Sequence, residues 1–282
     1  FPKGRHSQRA LWKLAIIRFA SREYGEAAAA FWSHLRQHPA PASAGPAIYW
    51  LGRCYEALGG RENARTLYRR VQALANESYY GIEAGTRAAS LAAAGGADRV
   101  SIAGIDFAQV TAACDAVRLP AAAVAEPGRG AWSLAARARE LWSAGLSDLA
   151  VAELQWAARQ HPRDEPALSC LTARIYAESG DHYNAIVSLR GAFPAYILQP
   201  VEALPLEVWQ LLYPVHLRDT VSPRAAENGL DPSLVLGLIR QESAFNEKAR
   251  SPAGARGLMQ ILPSTGKTLA RRAGIKRYSA AR

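Results

Sequence analysis

The stretch AIYWLGRCYEALGGRENARTLYRRVQALA, residues 47–75, reads as two helices joined by glycine. Apolar residues recur at three- and four-residue spacing on both sides of Gly59 and Gly60, which is the helical period. The Gly pair suits a left-handed C-terminal cap, because glycine enters that region without a Cβ penalty. The second helix opens RENARTLY (61–68): a polar start, a small residue, then large apolar ones. Three other segments follow the same order, YGEAAAAF (24–31), LSDLAVAEL (146–154) and HYNAIVSL (182–189).

Ala27 and Ala64 are 37 positions apart, and Ala150 and Ala185 are 35 apart. Helix pairs recurring at about 34–40 residues, with a small residue where two helices cross, mark tetratricopeptide-like solenoids. The full tetratricopeptide pattern is absent, so the repeat is degenerate, and an irregular helical bundle is the competing arrangement. Leu11 to His38 reads as two helical segments with a break near Ser21. PAPASAGP (39–46) reads as a linker by composition. The Gly-rich segment 92–110 is either an insertion or a bend between two arcs of helices. Pro194, Pro200, Pro205 and Pro214 interrupt the periodicity, which puts the best domain boundary near 195–220.

With 282 residues, 49% of them hydrophobic, the chain can bury one or two cores. It has no 19-residue apolar window, so no membrane-spanning helix is expected. It starts at Phe1 without a signal-like core, which fits a removed signal peptide or a truncated start equally well. The net charge is +10. The basic residues are dispersed, with no compact run, which speaks against a nucleic-acid-binding stripe and leaves genome bias or attraction to another polyanion. Cys54, Cys114 and Cys170 lie far apart with no Cys/His cluster. They read as small core residues, and no metal site and no cofactor is expected.

One charge is out of place. In DPSLVLGLIRQESAF (231–245), Asp231 and Pro232 signal a helix start. Val235, Leu238, Ile239 and Glu242 then fall on one stripe. Glu242 is either a helix end at a solvated edge or an acid held on an apolar face. In the second case burial and the negative end of the helix dipole both raise its pKa, as a proton donor at neutral pH requires. Downstream, SPAGARGLMQILPST (251–265) carries Gly254 and Gly257, where the backbone can pass close to a ligand or a helix.

Glu242-Ser243 in IRQESAFN, Ser251 in ARSPAGARGLMQI, and Gly257-Leu258-Met259-Gln260 resemble the soluble lytic transglycosylases with an SLT-type, lysozyme-like catalytic domain. YWLGRCYEALGGRENARTLYRRV, SYYGIEA (78–84) and PLEVWQLLYPVHL (205–217) look like the helical superhelix of that family. The resemblance implies an all-α fold: a tetratricopeptide-like α-superhelix over 1–200, a linker region at 201–220, and the start of a lysozyme-like domain at 221–282. It implies cleavage of peptidoglycan strands between N-acetylmuramic acid and N-acetylglucosamine, without water, leaving a 1,6-anhydromuramoyl end. Glu242 would be the single acid and base, Ser251 would orient the substrate acetamido group, and Met259 and Gln260 would line the glycan cleft. A periplasmic or cell-envelope location follows from the same resemblance. The family's domain continues past its GLMQ element to an Ala-Tyr-Asn motif, whereas this chain ends 40 residues after Glu242. A lysozyme-like domain needs on the order of 100 residues to bury a core. The catalytic domain is therefore expected to be incomplete, with its far wall missing and the Glu242 shift reduced. The alternative is a helical-repeat scaffold with an inactive catalytic remnant.

Overall fold

The computed structural model describes residues 6–95, 98–120, 122, 124, 126–275 and 278–279. Among these the fold is all-α, as the periodicity predicts. Pairings of β type are confined to isolated bridges, Ile102 with Ile105, and Arg256 with both Arg250 and Ile261. No helix among the described residues is long and apolar enough to cross a membrane. The chain divides into two compact units, Phe1–Ala122 with Ala195–Ala203, and Ala123–Pro194 with Leu204–Arg282.

The first unit contains α1 (Ser7–Ala20), α2 (Tyr24–Gln37), α3 (Pro41–Ala57), α4 (Arg61–Ala75), α5 (Tyr79–Ala93) and α6 (Phe107–Ala116). Sequential helices pack on each other from α1 to α5. Ala27 and Ala64 are fully buried, as the repeat predicts. The α3 cap is a Schellman turn. Gly59, at φ 85°, and Gly60 donate to the carbonyls of Glu56 and Tyr55.

Residues 41–46 do not form the linker that their composition suggests. Helix α3 begins at Pro41, whose missing N–H costs nothing in the first turn. It runs through Pro46, where Ser43, Ala44, Gly45 and Ala47 are buried. Their small side chains let neighbouring helices approach, and that packing overrides local preference.

The 98–106 segment folds back on this unit. Asn63 Oδ1 accepts from the Val100 amide at 2.9 Å, and Ile102 and Ile105 are buried. The core here is aromatic, with Phe31, Tyr55 and Tyr68 fully enclosed. Tyr68 donates to Glu56 at 2.5 Å, and Arg87 bonds both Glu56 and Tyr49, so the hydroxyls of Tyr68 and Tyr49 are satisfied, whereas the buried Tyr55 hydroxyl has no partner among the described residues. Burial and then the bond to Glu56 push the Tyr68 phenol well above its ordinary pKa.

The second unit contains α7 (Arg129–Ser143), α8 (Ser147–Gln160), α9 (Glu165–Glu178), α10 (His182–Ala192), α11 (Leu206–Leu212), α12 (Arg218–Glu227), α13 (Pro232–Ser243) and α14 (Pro263–Arg272). Helices α7–α10 are two further pairs, with Ala150 and Ala185 fully buried at the predicted positions. Ile186 of α10 joins Leu236, Ile239, Ala244 and Phe245 in a small apolar core that seats α13. Cys54 and Cys114 are buried core residues as expected, while Cys170 is half-buried. Burial pushes each of the three thiols up to about 12.

Candidate functional site

Helix α13 starts where the sequence places it. The Asp231 carboxylate accepts from the Ser233 amide at 2.7 Å, and Pro232 occupies the first helical position. The helix is held along one side. Leu236, Ile239 and Ser243 are buried, and Val235 is half-buried beside them. Arg240 reaches back to the end of α11. Its Nε donates to the Leu212 carbonyl at 2.6 Å, and its guanidinium lies 4.1 Å from the Tyr213 ring centre. It thereby caps one of the orphan carbonyls at a helix C-terminus.

Glu242 is not on that buried side. It is exposed, and it shares a stripe with Leu234 and Leu238, which are 66% and 44% exposed. The stripe Val235, Leu238, Ile239, Glu242 is thus split: its Ile239 edge faces the core and its Leu238 edge faces outward. The physical reason is that α13 is apolar on two sides, and the core of this unit takes only one. Of the two positions the stripe allowed, Glu242 takes the solvated helix end in this chain. Among the described residues its carboxylate has no ion-pair or hydrogen-bond partner. The helix ends directly afterwards, because Ala244 (φ 48°) and Phe245 (φ 65°) both take left-handed backbone. Ser243 Oγ donates to the Ile239 carbonyl at 3.1 Å.

The segment 246–262 is a compact, hydrogen-bonded loop. The Gly257 amide donates to Ala249, and Arg256 and Ile261 exchange backbone bonds. Gly254 (φ 84°) and Gly257 (φ 70°) are in left-handed turns, so their role here is backbone conformation. Ser251 Oγ accepts from the Ala255 amide at 3.0 Å, and its own proton has no acceptor among the described residues. Gln260 Nε2 donates to the carbonyls of Gly257 (2.9 Å) and Ala249 (3.2 Å), which leaves Oε1 as the free end. Met259 is 40% exposed. The loop therefore ties Ser251, Gly257 and Gln260 into one element, while Glu242 projects from the helix before it.

A cleft of about 680 Å³ lies between α14 and this loop, lined by Glu247, Arg250, Gly257, Leu269 and Tyr278 among others. Glu242 does not line it. The two nearby carboxylates, Glu242 and Glu247, therefore do not share this cleft. A retaining hydrolase needs two carboxyl groups about 5–5.5 Å apart across the substrate.

Residues 219–282 match the Transglycosylase SLT domain family, and residues 46–75 match the Tetratricopeptide repeat family. The chain thus joins a segment similar to tetratricopeptide repeats to a segment similar to Transglycosylase SLT domains. Among curated proteins it is similar to the transglycosylase of Enterobacteria phage PRD1, with 43% identity over 18% of this chain and 19% of that one. It is 36% identical to the soluble lytic murein transglycosylase of Escherichia coli K12, over 24% of this chain and 10% of that protein. It is 51% identical to membrane-bound lytic murein transglycosylase C of Actinobacillus pleuropneumoniae serotype 5b, over 16% and 12%. The X-ray structure of an inactive mutant of lytic transglycosylase Slt from Pseudomonas aeruginosa shares the fold. It gives a TM-score of 0.58 and 24% identity, covering 98% of this chain and 38% of that one. The matched regions span a fifth or less of the length of these curated relatives.

Arg240, His182, His216 and Phe245 escaped the sequence reading. Their partners lie 27 or more positions away, and no local pattern marks such contacts.

Proposed function

We propose that the chain is part of a peptidoglycan lytic transglycosylase of the bacterial cell envelope, and that Glu242 is its single acid and base. The match of residues 219–282 to the SLT domain, with a carboxylate at the end of α13 that has no partner among the described residues, carries this reading. Glu242 protonates the oxygen bridging N-acetylmuramic acid to N-acetylglucosamine. The substrate's own acetamido group stabilises the positive anomeric carbon, and the carboxylate then takes the proton from the C6 hydroxyl as that oxygen attacks. A 1,6-anhydromuramoyl end results, and water takes no part. Ser251 offers its free hydroxyl proton to the acetamido carbonyl. Met259 and the Gln260 Oε1 face the glycan. The domain limits that go with this reading are 1–200, 201–220 and 221–282.

The apolar stripe Leu234, Leu238 has a place in this scheme. Glycan or further polypeptide laid over it would remove the Glu242 carboxyl from water, the condition a proton donor at neutral pH needs. The structural relative from Pseudomonas aeruginosa is an inactive glutamate-to-glutamine mutant, which is the exchange to test here. A polypeptide that continues this chain through a complete SLT domain should release anhydro-ended muropeptides from purified sacculi. Glu242→Gln keeps the shape, removes the proton, and should abolish release. Full activity in the Gln variant would return Glu242 to the status of a helix end and favour the scaffold reading. Reducing-end products would make water the nucleophile.

A further inference from the structure

Two imidazoles in the second unit are packed face to face. His182, the first residue of α10, and His216, in the loop ahead of α12, have ring centres 3.8 Å apart and planes 14° apart. His216 also meets the ring of Phe245, with centres 5.1 Å apart at 57°. Phe245 is buried and forms, with Ala244, the left-handed turn that ends α13 three residues after Glu242. Two successive non-glycine residues in that region are each disfavoured by Cβ sterics, so packing has to hold the turn in place. The packing comes from the apolar core around Ile186, Leu236 and Ile239, and from His216 against the ring.

We propose that His182 and His216 are positioning residues: stacked as neutral rings they seat Phe245 and so fix the end of α13, and protonation of the pair in mild acid loosens that seat. The functional consequence rests on the reading of Glu242 as the acid; the structural one does not. Burial lowers the pKa of both rings, and His182 lowers that of His216 further. The charged groups facing the pair are Asp181 beside His182 and Glu247 beside His216, and each favours protonation without reversing the net direction. With both values depressed, the unfolded chain binds more protons than the folded one. The contribution of the stack is complete above the ordinary histidine pKa of about 6.5 and is lost as pH falls through and below it. A second proton would set two like charges against each other across the stack, where His182 is half-buried and His216 is exposed at its edge.

The test is amide hydrogen exchange in the 282-residue chain, followed at Ala244 and Asn246, whose amides donate to Arg240 and Ser243 across this turn. After correction for intrinsic rates, protection in the wild type should fall about tenfold or more between about pH 7.5 and 5. His216→Phe keeps a ring in the stack and removes the titration, so its protection should change less than about twofold over the same range. His182→Phe makes the same substitution from the other side and should behave alike. A flat wild-type profile, or a parallel fall in the foldable Phe variant, overturns the proposal. In the complete enzyme, His216→Phe should extend sacculus digestion to lower pH. If Glu242→Gln leaves digestion intact, the transglycosylase reading fails while the exchange result stands or falls separately.

Discussion

Arg240 and Glu242 are two residues apart on one helix and have opposite surroundings. The arginine is tied to Leu212 and Tyr213, whereas the carboxylate has no described partner. Arg240→Ala removes a charge-assisted bond to an otherwise orphaned helix-end carbonyl, and the ring contact with it. The expected loss is about 1–3 kcal/mol, read as a lower denaturant midpoint with an unchanged slope. An unchanged midpoint would mean that α13 is held by its apolar core alone. At this scale the sequence shows which residues carry chemistry but not which way they face. Leu234, Leu236, Leu238 and Ile239 clothe both sides of α13, so the period alone gives two equally apolar stripes. Only the position of the core selects between them.

At the scale of elements, the repeat is carried by the turn within each helix pair as much as by its small residues. Each of four pairs is joined by the same two-bond Schellman turn. The left-handed residue is Gly59, Gly145 and Gly180 in three of them, and Arg22 in the fourth. Gly145 and Gly180 stand 35 positions apart, the same interval as Ala150 and Ala185. The glycine signal was therefore present in the sequence for three pairs, and the fourth was masked by a residue that ordinarily avoids this conformation. Arg22→Gly should relieve that strain and stabilise the first unit by about 1 kcal/mol, less the greater freedom glycine gives the unfolded chain. Thermal unfolding measures it, and a lower Tm would show that the Arg22 side chain contributes more than its backbone costs. The 41–46 segment teaches the opposite lesson. Prolines and small residues look like a linker, yet burial against neighbouring helices makes them helical.

Across the whole molecule, both units carry histidines whose protonation opposes folding. In the first, burial and then His38 lower the pKa of His34, which is 2% exposed and shares a 2.9 Å hydrogen bond with Ser43 Oγ. In the second, the stacked pair shifts the same way. All three values are depressed, so the unfolded state takes up more protons as pH drops through about 6.5. Stability should be greatest above that pH and decline steadily toward pH 5. Chemical denaturation at a series of pH values checks this. A midpoint that rises on acidification would mean that these rings bind protons more tightly when folded.

By itself, the sequence determined the helical class, the repeating pairs, the start of α13 at Asp231 and the residue types of the SLT motif. These depend on local period, capping chemistry and short motifs, all of which act within a few turns of chain. Tertiary structure decided the rest. It set which face of α13 is covered, that Pro41 to Pro46 are helix, that Gly254 and Gly257 serve turns, and that His182 stacks on His216, which meets Phe245. Each of those outcomes depends on groups brought together from distant parts of the chain, where the free energy of burial outweighs local preference. No stretch of a dozen residues contains that term.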